Sequence, residues 1–129
     1  MPDRTPAARA GTPMIKRISL LTRKPGMSRE DFNSYWLDVH GPMVRTLPNV
    51  RQYIQNHIVD DAHRHDLPTG GQVVDGIVEF WFDSVAAMDA CFATPEAKAC
   101  FADGARFIDT VTTYVIEEHK VIPDTTGTV

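Results

Sequence analysis

The sequence predicts an α+β domain of the ferredoxin-like plan, β-α-β-β-α-β with a four-stranded antiparallel sheet. Three observations carry this. Apolar residues alternate between the period of two that suits strands and the period near 3.6 that suits helices, in that order along the chain. Turn-forming residues at Pro25-Gly26, Pro48-Asn49 and the polar stretch Asp61 to Gln72 punctuate the changes of period. The 129 residues, 43% hydrophobic and 23% charged, suffice for one soluble domain with a modest core.

Taken in order, Met14 to Arg23 reads as the first strand, with Ile15, Ile18, Leu20 and Leu21 as its apolar bulk. After Pro25-Gly26, Ser28 is a good N-cap and Asp31 places a carboxylate in the positively polarised first turn of a helix. Phe32, Tyr35, Trp36, Val39 and Met43 follow at helical spacing as a buried stripe. Gly41-Pro42 is expected to break this helix directly after His40, because proline lacks an N–H and clashes with the preceding turn. Leu47 continues the stripe if the helix resumes at Pro42, where proline is tolerated. Val50 to Asp60 reads as the second strand, with Val50, Ile54 and Ile58 on one face and Arg51, Tyr53, Gln55 and His57 on the other. Val73 to Asp83 is the clearest strand: Val74, Val78, Phe80 and Phe82 share one face, Asp75, Ile77, Glu79 and Trp81 the other. Ser84 caps a helix containing Val85, Met88 and Phe92, and Thr94-Pro95 restarts it with Ala97, Cys100, Phe101 and Phe107. Thr110 to Ile122 closes the sheet. The single domain spans 14–122; residues 1–13 and 123–129, without periodicity, read as flexible tails.

Two helices cover one face of such a sheet. The second face reads as Tyr53, Val59, Ile77 and Trp81 beside Gln55, His57 and Glu79, sticky and polar at once. That combination predicts two sheets packed around a cavity, hence a homodimer enclosing a small-molecule pocket.

Charge and composition exclude other classes. A net charge of -4 argues against nucleic acid, which wants a basic face. No apolar run approaches the roughly 20 residues that span a bilayer, so no membrane association is expected. Met1 to Pro13 lacks the hydrophobic stretch of a signal peptide. Cys91 and Cys100 form no disulfide framework, and a cytoplasmic location is the default expectation.

Three segments resemble the EthD-like family of the dimeric α+β barrel superfamily. Tyr35-Trp36-Leu37-Asp38-Val39-His40-Gly41-Pro42 is similar to its Trp-x-x-x-His-x-Pro segment. Leu47-Pro48-Asn49-Val50-Arg51-Gln52-Tyr53 resembles its proline-to-tyrosine entry into the second strand, and Asp75-Gly76-Ile77-Val78-Glu79-Phe80-Trp81-Phe82 its acidic and aromatic third strand. The resemblance covers Met14 to Val121. It implies small-molecule catabolism or polyketide tailoring, with relatives that include a methylmuconolactone isomerase, decarboxylase- and cyclase-like enzymes, and a namesake associated with ether degradation. Family labels include oxidoreductase, but no Gly-x-Gly-x-x-Gly follows a strand here, so no cofactor is expected and acid–base chemistry suits the chain better.

Within that frame His40 is the leading catalytic candidate, since imidazole titrates nearest neutrality; its structural alternative is a cap on the broken helix. Glu79, mid-strand among apolar residues, is the second, either meeting His40 across the pocket or pairing with Arg51 or Arg17. Tyr53 and His57 would hold a substrate oxygen, while Trp36, Trp81 and Ile77 would shape the pocket; ordinary core packing is the alternative for each. His63 and His65 with Asp60, Asp61 and Asp66 match no closed zinc signature, so no metal is expected, although their loop could lie over the cavity mouth. The cysteines, among apolar helix residues, are expected to be inert core thiols. The competing readings are an accessory binding protein without catalysis and a cofactor-independent monooxygenase.

Overall fold

Antiparallel pairing organises the molecule. The computed structural model describes residues 14–124, so the expected tail 1–13, and all but the first two residues of the expected tail 123–129, lie outside the described residues. The elements are β1 (Ile15–Arg23), α1 (Arg29–Tyr35), a π-helical turn (Trp36–His40), α2 (Gly41–Val44), β2 (Gln52–His57), β3 (Gly76–Phe82), α3 (Val85–Phe92), α4 (Pro95–Gly104) and β4 (Ile108–Glu117). The strands lie in the order β2-β3-β1-β4, each antiparallel to its neighbour. This is the predicted ferredoxin-like α+β fold.

Local chemistry sets the helix starts. The hydroxyls of Ser28, Ser84 and Thr94 accept the N–H groups of Asp31, Ala87 and Ala97 at 3.0, 3.1 and 3.1 Å, each satisfying a donor that the first turn leaves free. The helices cover one face of the sheet through two apolar clusters. One joins Val44, Leu47, Phe82, Met88, Cys91, Ala97 and Cys100; the other joins Leu21, Phe32, Trp36, Val78 and Phe107.

Gly41-Pro42 does not break the first helix. Trp36 to His40 form instead a π-helical turn whose carbonyl at Trp36 accepts the Gly41 N–H five residues on, and Pro42 sits in the first turn of α2. The wider turn changes the helical phase. His40 therefore takes the inward position expected of Val39, and Val39 stands 46% exposed. Such turns inside helices occur frequently at functional sites.

Register corrects the expected second face. Tyr53, Gln55 and His57 pair with Phe80, Val78 and Gly76, all on the helix-covered side, whereas Ile54 pairs with Glu79 on the open side. Within each strand the alternation is as predicted. What alternation cannot supply is which parity of one strand aligns with which parity of the next, and a shift of one residue exchanges the faces. The uncovered face thus carries Lys16, Ile18, Leu20, Ile54, Asn56, Ile77, Glu79 and Trp81.

Candidate active site

A cavity of about 370 Å³ lies between the sheet and the helices, at the seam of the two apolar clusters. His40, Trp36 and Tyr53 line it, with Arg17 and Ser19 from β1 and Cys100 and Gly104 from α4. This pocket lies within a single chain, under the helices, whereas the one expected from the sequence lay at the open sheet face.

His40 is held there by Asp103 of α4. Its Nδ1 lies 2.9 Å from Asp103 Oδ2, both side chains nearly buried at 13% and 11% exposure. Tyr35 Oη donates to the other carboxylate oxygen at 2.6 Å, and Arg106 approaches it to 4.0 Å. Burial alone would raise the Asp103 carboxyl; the hydrogen bonds from Tyr35 and His40 and the nearby positive charge outweigh it and hold the group below the usual carboxylate range. An ionised Asp103 must accept at both oxygens, so His40 Nδ1 carries the hydrogen. The remaining nitrogen, Nε2, makes no hydrogen bond among the described residues. The ring also meets Phe107 edge-on at 5.2 Å, and the missing side chain of Gly104 leaves its Cε1 unobstructed.

A second network ties Tyr53 to the π-helical turn. The Gln55 amide donates through Nε2 to the Trp36 carbonyl of the π-helical turn at 2.9 Å and to Tyr53 Oη at 2.8 Å. Its Oε1 is left to accept from His57 Nε2 at 2.8 Å. His57 in turn stacks on Trp36, with ring centroids 4.7 Å apart and planes 11° from parallel. Burial lowers the His57 pKa, keeping the ring neutral near pH 7, and burial raises that of Tyr53, keeping its hydroxyl protonated. Tyr53 accepts from Gln55 and so retains its own proton for a donor bond.

The remaining candidates fall elsewhere. Glu79 lies on the open face, paired with Lys16 at 2.9 Å and bonded by Asn56 at 2.8 Å, so the expected convergence with His40 does not occur. The ion pair expected as its alternative forms, but with Lys16 in place of Arg51 or Arg17. Trp81 is on that face too, its ring 4.5 Å beneath the Lys16 ammonium, and so is Ile77. His57 contacts Trp36 but does not line the cavity. His63 and His65 are exposed, no residue of 61–72 lines the cavity, and no group of three potential metal ligands occurs among the described residues. Cys91 and Cys100 are buried, and that burial pushes both thiols up, away from the nucleophilic thiolate.

Asp103 was not anticipated from the sequence. The signal was present: it stands three residues after Cys100 and six after Ala97, on the apolar side of α4. A carboxylate in that phase must find a partner inside.

The model of the EthD domain matches residues 24–111. This chain belongs to the EthD family. An EthD family protein from Bacillus halodurans C-125 is 24% identical, with a TM-score of 0.66 over 82% of this chain and 99% of its own. A dimeric protein of unknown function and ferredoxin-like fold from Bacteroides fragilis is 15% identical, with a TM-score of 0.58 over 81% and 96% of the two chains. A hydroxynitrile lyase from Passiflora edulis is 16% identical, with a TM-score of 0.64 over 86% and 98%. These likenesses show the fold this EthD protein shares. No protein in the curated set matches it. No helix among its described residues is long and apolar enough to cross a membrane.

Proposed function

We propose that this EthD protein is a cofactor-independent acid–base enzyme acting on a small cyclic or aromatic molecule, with His40 as its proton shuttle. The observation that carries the reading is the His40–Asp103 pair at the wall of a largely apolar cavity. His40 Nε2 removes a proton from carbon next to a carbonyl, leaving the electron pair delocalised onto the oxygen. Tyr53 donates a hydrogen bond to that oxygen, and Asp103 stabilises the imidazolium that forms. Returning the proton from His40 to a different carbon completes an isomerisation. The same intermediate serves a decarboxylation, where carbon dioxide leaves in place of the first proton, or a ring closure. A lyase among the chains of the same fold is compatible with this chemistry. Glu79 has no part in it. We also read the protein as a homodimer joined through the open sheet face; the Bacteroides protein of the same fold is itself dimeric.

The test is solvent deuterium incorporation into a panel of cyclic ketones, lactones and phenols, followed by NMR. The wild-type protein is expected to exchange at least one of them, and His40→Ala to slow that exchange by about 10²–10⁴-fold. Equal rates in the two proteins would refute the assignment. Binding without exchange by either would favour the accessory-protein reading.

A further inference from the structure

Arg17 is the charged group that the His40 chemistry leaves unused. It projects from β1 on the helix-covered face, pairing in register with Phe80 and Val115, and lines the cavity. Its guanidinium lies over the Phe92 ring at 4.5 Å. Among the described residues it makes no hydrogen bond or ion pair to a carboxylate. Arg23 and Arg29 share Asp75, Arg51 holds Asp83, Arg64 holds Asp66 and Arg106 approaches Asp103, while Arg45 is exposed. Arg17 alone of these is half-buried with its donors uncommitted. Glu117, one step along the same face opposite Ile15, lies 3.9 Å from His119 instead. Asp109 also lines the cavity, but it stands six residues from Val115 on β4, about 20 Å along the strand. A guanidinium half-withdrawn from water without a counter-charge gains from an anion brought to it, and its partial burial pulls the Arg17 pKa down.

His40 occupies the other end. It packs on Phe107, which clusters with Leu21, four residues and about 13 Å along β1 from Arg17. Tyr53 lies across the sheet at the level of Arg17, through Phe80, and Ser19 with its partner Val78 stands one step further along the cavity floor. We propose that Arg17 is an anion receptor, so that substrates of this site carry a carboxylate at the end remote from the carbon on which His40 acts. The Phe92 ring beneath the guanidinium supports it from one side, and its planar fork of donors matches a carboxylate through two parallel hydrogen bonds. This rests on the reading of the cavity as a small-molecule site.

The experiment is isothermal titration of the full chain at pH 8.5, where an ordinary imidazole is neutral, with 2-naphthoate and with its neutral analogue 2-naphthamide. The wild-type protein is expected to bind the acid about 10–100-fold more tightly. Arg17→Met, which keeps the stem over Phe92, is expected to bring the two within about twofold while retaining amide affinity; Arg17→Lys is expected to fall between. Equal binding of acid and amide by the wild-type protein overturns the receptor and leaves the cavity intact. Binding of neither overturns the small-molecule reading itself, and with it the receptor. Because the wild-type comparison decides on its own, misfolding of a variant would not protect the proposal.

Discussion

Asp103 is asked to do two things, and they can be measured separately. Its hydrogen bond fixes the imidazole as the Nδ1–H tautomer and so leaves Nε2 as the basic atom. Nitrogen-15 NMR of the neutral wild-type protein should show His40 protonated at Nδ1, and Asp103→Asn should abolish that preference; an unchanged tautomer would remove Asp103 from the mechanism. Its ionisation also contributes to stability. The folded protein holds this carboxyl below its ordinary value, so on acidification the unfolded chain takes up the proton first. The stability it supplies is complete above about pH 4 and is lost as the pH falls through the lowered folded value. Urea titrations below about pH 4 are therefore expected to show a flatter loss of stability in Asp103→Asn than in the wild-type protein. Parallel profiles would mean the carboxyl is held no differently in the two states.

At the scale of elements, the site depends on how closely α1 and the π-helical turn approach β3. Gly76 opens that strand directly under Trp36: a Cβ built there would lie 2.5 Å from Trp36 Cζ3 and 2.9 Å from Cη2. Trp36 is buried and anchors both Gln55 and His57, so the clash has no cheap escape. Gly76→Ala is expected to destabilise the fold by about 1–3 kcal/mol, read as a lower midpoint in chemical denaturation; an unchanged midpoint would show that the turn can slide. The same region explains what was legible in the sequence. Caps at Ser28 and Ser84, the helix restart at Thr94-Pro95, the strand alternation and the element order were all readable, because each depends on neighbours within a few residues. The phase change at Trp36 to His40 was not, since a π-helical turn depends on a carbonyl finding Gln55, nineteen residues away. Nor was the pairing of Tyr53 with Phe80, which set Glu79 and Tyr53 on opposite sides of the sheet. That parity is a contact between strands separated by a long loop, and neither strand encodes it alone. His40 stood out as a candidate because the Gly-Pro pair marks its helix locally; Asp103 entered only with the packing of α4 onto the π-helical turn.

On the scale of the whole molecule, no helix among the described residues covers one face of the sheet, and the composition of that face argues for a second copy of the same chain. Ile18, Leu20, Ile54 and Ile77 form an apolar centre across three strands. The charges beside it are already neutralised: Lys16 holds Glu79 at 2.9 Å and Glu118 at 3.1 Å. Burial alone would lower the Lys16 pKa, but those two carboxylates outweigh it, so the group stays an ammonium with its counter-charges in place. Charges paired in advance can be covered by a partner without the penalty of an isolated buried ion, and a self-complementary face is the usual route to a two-fold dimer. Sedimentation equilibrium is expected to give twice the 14.4 kDa chain mass. Ile77→Asp, placing an unpaired carboxylate at the apolar centre, is expected to shift it to the monomer. Because Ile77 points away from the cavity, the variant should still bind ligand there if each protomer holds a complete site. A wild-type monomer would refute the dimer, and a monomeric variant that has lost binding would mean that pairing of the sheets supports the pocket from behind.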